Sequence, residues 1–302
     1  MIELPSAIDI KDLIEDLKIL SWEASDILLY YAKILNNSDS KDNIIRNENP
    51  DDPVTIADLK VNEIIIKKIK EKYKHVNWEI LSEENSKSNS HRFNKNNDWT
   101  WVLDPLDGTK DFIQGTKNYA MHLALNYKQR PFLGVVLIPE RDELWICNGE
   151  KVWCEGRDKS KKKPFLLRNH SLHEMAIVTS KNHRNEILKN IVDKISFKSV
   201  IVMGSIGCKV ASILRGESDI YITLSIPGKS CPKDWDFAAP EVILRTAGGA
   251  ITNLNNEELV YCKKNFEQGG IIVASNNSET HERKCNEIKE VIRKFDLLPI
   301  DS

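Results

Sequence analysis

Residues 8–35 place Ile10, Leu13, Ile14, Leu17, Ala24, Ile27, Leu28 and Tyr31 three or four apart, the repeat of one buried helical face. A polar stretch at 36–53, NNSDSKDNIIRNENPDDP, reads as a mobile connection. It leads into a second helical pattern from about Thr55 to Tyr73, with Val61, Ile64, Ile65 and Ile69 on the inner side. Short apolar runs typical of strands follow: WEIL at 78–81, WTWVL at 99–103, YAMHLALNY at 119–127, LGVVLI at 133–138 and ELWIC at 143–147. From about Met175 strand and helix patterns alternate: AIVTS, a helix near Asn185 to Lys194, SVIVMG, a helix near Gly207 to Leu214, DIYITL, a helix after Trp235, GGIIVAS and a last helix. The pattern predicts an antiparallel-rich α+β half over 1–165 and an α/β half over 166–302. There is no internal repeat.

Composition narrows the class. Apolar residues make up 41% and charged residues 29% of 302 residues, as in soluble globular proteins able to bury a large core. A net charge of −2 with intermixed signs supplies no global field for nucleic acid or an anionic membrane, so affinity for phosphate has to be local. The basic run Arg157–Lys163 and the polar segment 86–97 read as solvated loops. No apolar run approaches the ~18 residues of a membrane span, and the N-terminus lacks a basic-then-apolar leader pattern, so a cytoplasmic location is expected. The six cysteines contain no C-x-x-C and are expected as free thiols.

The segment W-V-L-D-P-L-D-G-T-K-D at 101–111 ends an apolar strand in Asp104 and Asp107, with Gly108 and Thr109 directly after. Carboxylates clustered at a strand end repel one another unless a cation neutralises them, which suits magnesium held by a few protein oxygens and a substrate phosphate. Gly108 permits close backbone approach, and a helix beginning after it would aim the amides of Gly108, Thr109 and Lys110 at an anion. A plain D-x-x-D-G turn without a ligand is the alternative from these residues alone. The pair Glu83-Glu84 follows WEILS, and Asp236 opens DFAAPEVILRTAGG, where a helix cap explains it equally well. D-P-L-D-G-T lacks the alternating ligands and distal glutamate of a calcium loop.

Two signatures, W-V-L-D-P-L-D-G-T-K-D-F at 101–112 and W-D-F-A-A-P-E-V-I-L-R-T-A-G-G at 235–249, supported by V-T-I-A-D at 54–58 and S-E-E-N at 82–85, resemble the family of inositol monophosphatases, fructose-1,6-bisphosphatases and 3'(2'),5'-bisphosphate nucleotidases. The resemblance runs from about residue 8 to 295. It implies a layered αβαβα sandwich and two or three Mg2+ ions, bound by Glu83, Asp104, Asp107, Asp236 and the carbonyl of Leu106, with Asp58 joining through water. It further implies that Thr109, backed by Asp58, orients and deprotonates the attacking water for in-line hydrolysis without a covalent intermediate. Lithium sensitivity is also implied. The glycine usual before the first glutamate is Ser82 in this chain, a departure that bears on the loop after Glu84.

For the substrate, Ser180-Lys-Asn-His183 after AIVTS, and Gly204-Ser205-Ile-Gly-Cys-Lys209 after SVIVMG, sit where α/β sheets place binding loops. These segments, and S-I-P-G-K-S-C-P-K-D-W-D at 225–236, resemble the nucleotide-holding segments of bisphosphate nucleotidases. Substrate binding is accordingly expected of Gly108, Thr109, Ser180, His183, Ser205, Lys209 and Asp236. The expected activity is hydrolysis of adenosine 3',5'-bisphosphate to AMP and phosphate, a step of sulfur metabolism, by a monomer or homodimer with no nucleic-acid or membrane partner. An inositol or sugar phosphatase, and a non-catalytic phosphate-sensing relative, are the alternatives.

Overall fold

The structure, a computed structural model, describes residues 4–5, 8–36, 44–46, 53–87, 94, 97–165, 169–180, 186–225 and 231–298. The expected polar connection at 36–53 and loop at 86–97 lie largely outside them.

Helix α1 (Ile10–Asn36) buries Leu13, Leu17, Leu20, Ala24 and Leu28, the three- and four-residue repeat seen in the sequence. Helix α2 (Ile56–Lys72) lies beside it and buries Val61, Ile65 and Ile69. Both cover one face of a seven-stranded sheet in simple order: β1 (Glu79–Ser82), β2 (Trp99–Asp107), β3 (Ala120–Tyr127), β4 (Arg130–Ile138), β5 (Glu143–Cys147), β6 (Val152–Glu155) and β7 (Lys161–Lys162). Only β1 and β2 run parallel; every later pair is antiparallel. One-turn helices α3 (Glu83–Ser86) and α4 (Thr109–Ile113) follow β1 and β2 directly.

A second sheet of five strands has the order β11 (Ala250–Asn253), β12 (Gly270–Ser275), β10 (Ile220–Ser225), β8 (Ala176–Ser180), β9 (Ser199–Met203). Strands β10, β8 and β9 are parallel, while β12 and β11 are antiparallel additions, so the sheet is mixed. Helices α6 (Ile206–Leu214) and α7 (Asp234–Thr246) fill the space between the sheets, and α5 (Glu186–Ile195) and α8 (His281–Lys294) cover the outer face of the second. The five layers are helix, sheet, helix, sheet, helix, as the resemblance implies. Strand β2 is buried at all nine positions because both its faces are covered, which explains why apolar residues do not alternate with polar ones along it.

Some boundaries differ from the sequence reading. Helix α7 starts at Asp234, ahead of Trp235, and β6, β7 and β11 are too short or too polar to announce themselves. All six cysteines are free.

Candidate active site

Strand β2 carries the D-P-L-D segment into the space between the sheets. Asp104 stands opposite His122 on β3, and Asp107 opposite Ala120, so three steps on β2 span two on β3 and the strand bulges. Pro105, which cannot donate to the ladder, sits within the bulge. The extra residue re-aims Asp107, and the Leu106 amide donates to Asp104 Oδ1 at 3.1 Å. Gly108 takes φ 88°, and a Cβ there would lie 2.9 Å from the Asn118 carbonyl, so the turn into α4 needs glycine.

Asp58 and Asp236 reach the same space in one way. Each is the third residue of its helix, α2 and α7, and its carboxylate accepts the N–H three positions earlier: Thr55 N at 2.9 Å and Lys233 N at 2.6 Å. Two helix N-termini thus face the acids, a favourable end for negative charge. Asp236 lies on the chain's second half, but α7 packs against β2, β3 and β4 of the first sheet. Asp104, Asp107 and Asp236 each offer an oxygen within 4.8 Å of the others.

Three hard carboxylate donors at that spacing fit a divalent cation, and the electrostatics agree. Burial and then repulsion from Glu83, Asp107 and Asp236 hold Asp104 well above the usual carboxylate range. Burial and then Asp107 push Asp236 to about 7, and burial, against the Thr55 hydrogen bonds, pushes Asp58 to about 7. Glu83 is raised to about 8 by burial, with Lys87 opposing and Glu84, Asp58 and Asp236 adding to the rise. Asp107 is the exception: burial raises it, but His122, the Ser205 hydroxyl and Lys209 outweigh that and lower it. Its Oδ2 accepts from Ser205 Oγ at 2.6 Å and from Gly207 N at 3.0 Å.

Thr109 Oγ1 donates to the Leu106 carbonyl at 3.0 Å and lies 3.4 Å from Asp58 Oδ1. The hydroxyl therefore has a carboxylate and a carbonyl as alternative acceptors. Lys209 is 1% exposed; its ammonium donates to Gly204 O at 2.8 Å and Ser180 Oγ at 3.1 Å, beside the Tyr221 ring, and burial lowers it to about 8. Ser180, Ser205 and Lys209, expected as substrate groups, are thus gathered near Asp107, with the Ser205 hydroxyl engaged by that carboxylate. His183 lies outside the described residues.

Three neighbours were not singled out from sequence. Thr55 caps α2 and bonds Asp58; the signal was present as threonine three residues before aspartate. Asn62, one turn past Asp58, accepts from the buried Ser82 hydroxyl and donates to Asn85 Oδ1 at 3.3 Å, pinning the Glu83–Glu84 turn to α2. The serine in place of glycine is thereby used. The third is His122, whose only trace in sequence is one polar residue in YAMHLAL.

A model of the inositol monophosphatase family matches residues 10–293. The 3'(2'),5'-bisphosphate nucleotidase CysQ of Buchnera aphidicola is 31% identical over 211 residues, 69% of this chain and 74% of the relative. Human 3'(2'),5'-bisphosphate nucleotidase 1 is 27% identical over 217 residues, 70% and 68% of the two chains. Among solved structures, an inositol monophosphatase of Thermotoga maritima superposes with a TM-score of 0.71 at 21% identity, covering 94% of this chain and 99% of that one.

Proposed function

Because the chain belongs to the inositol monophosphatase family and is a phosphoric monoester hydrolase, we propose that it is a magnesium-dependent 3'(2'),5'-bisphosphate nucleotidase, converting adenosine 3',5'-bisphosphate to AMP and phosphate. The observation that carries the chemistry is the Thr109–Asp58 pair set beside Asp104, Asp107 and Asp236. The substrate follows from the nucleotidase names of the similar curated proteins.

Glu83, Asp104, Asp107, Asp236 and the Leu106 carbonyl would hold two or three Mg2+ ions, which when bound offset the carboxylate charge, acidify water and stabilise charge on the phosphoryl oxygens. Thr109 would accept a proton from the entering water while passing its own to Asp58 Oδ1, 3.4 Å away. Without a cation, burial raises Asp58 to about 7, the direction that strengthens it as a base, and bound Mg2+ would oppose that rise. The bond from phosphorus to the ribose 3'-oxygen would break on the opposite side from the entering oxygen, and the departing oxygen would take up a proton from solvent to leave as the 3'-hydroxyl. Asp107, held by Ser205 and Gly207, stays ionised and fixed in orientation.

Lys209 would hold a second anionic group of the substrate. Among the described residues two of its three N–H donors are used, by Gly204 and Ser180. Ser180, Ser205 and Ser225 stand at or just beyond the carboxyl ends of the parallel strands β8, β9 and β10, where open α/β sheets bind ligands.

The test is phosphate release by the purified protein with Mg2+ from adenosine 3',5'-bisphosphate, inositol 1-phosphate and fructose 1,6-bisphosphate side by side. The nucleotide should give the highest kcat/KM. Faster hydrolysis of either other substrate would replace this reading with an inositol or sugar phosphatase, and no hydrolysis of any would support a non-catalytic relative.

A further inference from the structure

His122 occupies a position that neither packing nor the proposed chemistry accounts for. It lies on β3 with its side chain on the face turned to α6 and α7, and is fully buried. Among the described residues the polar groups beside its ring are acceptors: Nδ1 is 3.3 Å from the Trp235 carbonyl and 4.0 Å from Asp104 Oδ2, and Nε2 is 3.2 Å from Asp107 Oδ2. Although Asp107 is within reach, its direction is poor, and Nε2 has no aligned hydrogen-bond partner. A buried ring nitrogen left in that state is uncommon and calls for a physical reason.

The surroundings make room for the ring. On Gly207 a Cβ would lie 2.2 Å from His122 Nε2 and 2.9 Å from both His122 Cδ2 and Val136 Cγ1. The same glycine donates its N–H to Asp107 Oδ2 at 3.0 Å, so α6, His122 and Asp107 form one contact unit. On its other side the ring touches the carbonyl immediately before Asp236. His122 therefore adjoins Asp104 and Asp107 from the first half and the peptide leading to Asp236 from the second.

We infer that His122 is a positioning residue: it braces the Asp107 carboxylate against the start of α7 and so sets the spacing of the three aspartates that converge from two halves of the chain. It rests on the metal-site reading above and adds a residue to it. Groups behind ligating side chains orient them, and their loss typically weakens metal binding by about 10- to 100-fold.

Mn2+ serves as a spectroscopic probe, its binding followed by electron paramagnetic resonance without substrate, with circular dichroism and steady-state kinetics on the same samples. His122→Ala and His122→Asn should keep the fold and weaken Mn2+ binding by about 10- to 100-fold. The Mg2+ concentration for half-maximal activity should rise in step, whereas KM for nucleotide at saturating Mg2+ should barely change. Gly207→Ala should reproduce the loss by displacing the ring. Unchanged Mn2+ affinity in the folded single variants overturns the inference, as does failure of both His122 variants to fold, which would make the ring a packing residue. A parent protein that binds no divalent cation sinks the metal-site reading itself, and this inference with it.

Discussion

Asp58→Asn separates the site's chemistry from its cost in stability. The change keeps the side chain's shape and an acceptor for the Thr55 N–H while removing one negative charge. Burial raises the Asp58 carboxyl from 3.8 to about 7, so folding favours its neutral form. A raised value stabilises fully below the unfolded pKa, and that stabilisation is lost as pH climbs through about 7. At pH 8 without a divalent cation, the ionised carboxylate therefore costs on the order of 4 kcal/mol, less about 0.3–1 kcal/mol returned by the helix dipole. With ~2.1 cal/mol/K of unfolding entropy per residue over 302 residues, that is a Tm difference of roughly 5 °C. The metal-free variant should be more stable than its parent by about that much at pH 8 and by little at pH 4. Its kcat at saturating Mg2+ should fall about 10²- to 10⁴-fold, the usual worth of a general base. Differential scanning fluorimetry in chelator across pH, and phosphate release at fixed pH, measure the two effects. A variant no more stable than its parent at pH 8, or one with kcat within about tenfold of it, refutes the reasoning.

Asp104→Asn, Asp107→Asn and Asp236→Asn should each lower turnover by orders of magnitude, and chelation should abolish the parent's activity; near-normal rates in all three variants would remove these residues as ligands. The Tm gain on adding Mg2+ should be larger at pH 8 than at pH 5, because Glu83 and Asp236, raised to about 8 and about 7, ionise between those values; an equal gain at both would mean that the buried acids do not bind the cation. Lys209→Met, which keeps most of the packing, should cost about 10- to 100-fold in kcat/KM on adenosine 3',5'-bisphosphate, from roughly 1.5–3 kcal/mol for a charge-assisted contact. It should cost less on a small phosphomonoester; equal losses would place its effect on Asp107. His183→Ala should follow the same pattern as Lys209→Met. Millimolar lithium should inhibit in the same phosphate-release assay, and insensitivity would count against the expected lithium-sensitive placement.

Much of this protein is written locally. The three- and four-residue apolar repeat is sufficient to define α1, and predominantly apolar runs define β2, β3 and β4, because helix and strand expose different periodicities to one core. The acids at the ends of β1 and β2 and in the first turns of α2 and α7 are equally legible, since strand ends and helix starts carry local signals. Convergence is not local. Asp107 and Ser205 are 98 positions apart, and their hydrogen bond exists only because β9 delivers Ser205 to the first sheet. Asp236 joins Asp104 because α7 packs across β2, β3 and β4 as well as against α6 and β11 of its own half. No periodicity marks His122 as different from a core histidine, or Ser82 as the start of a link through Asn62 to Asn85, since each depends on which side chain lies across the gap. The sequence alone determined most of the elements and which acids stand at their ends; tertiary packing decided which charges meet, because Coulomb and hydrogen-bond energies depend on distances of a few ångströms between residues far apart in the chain.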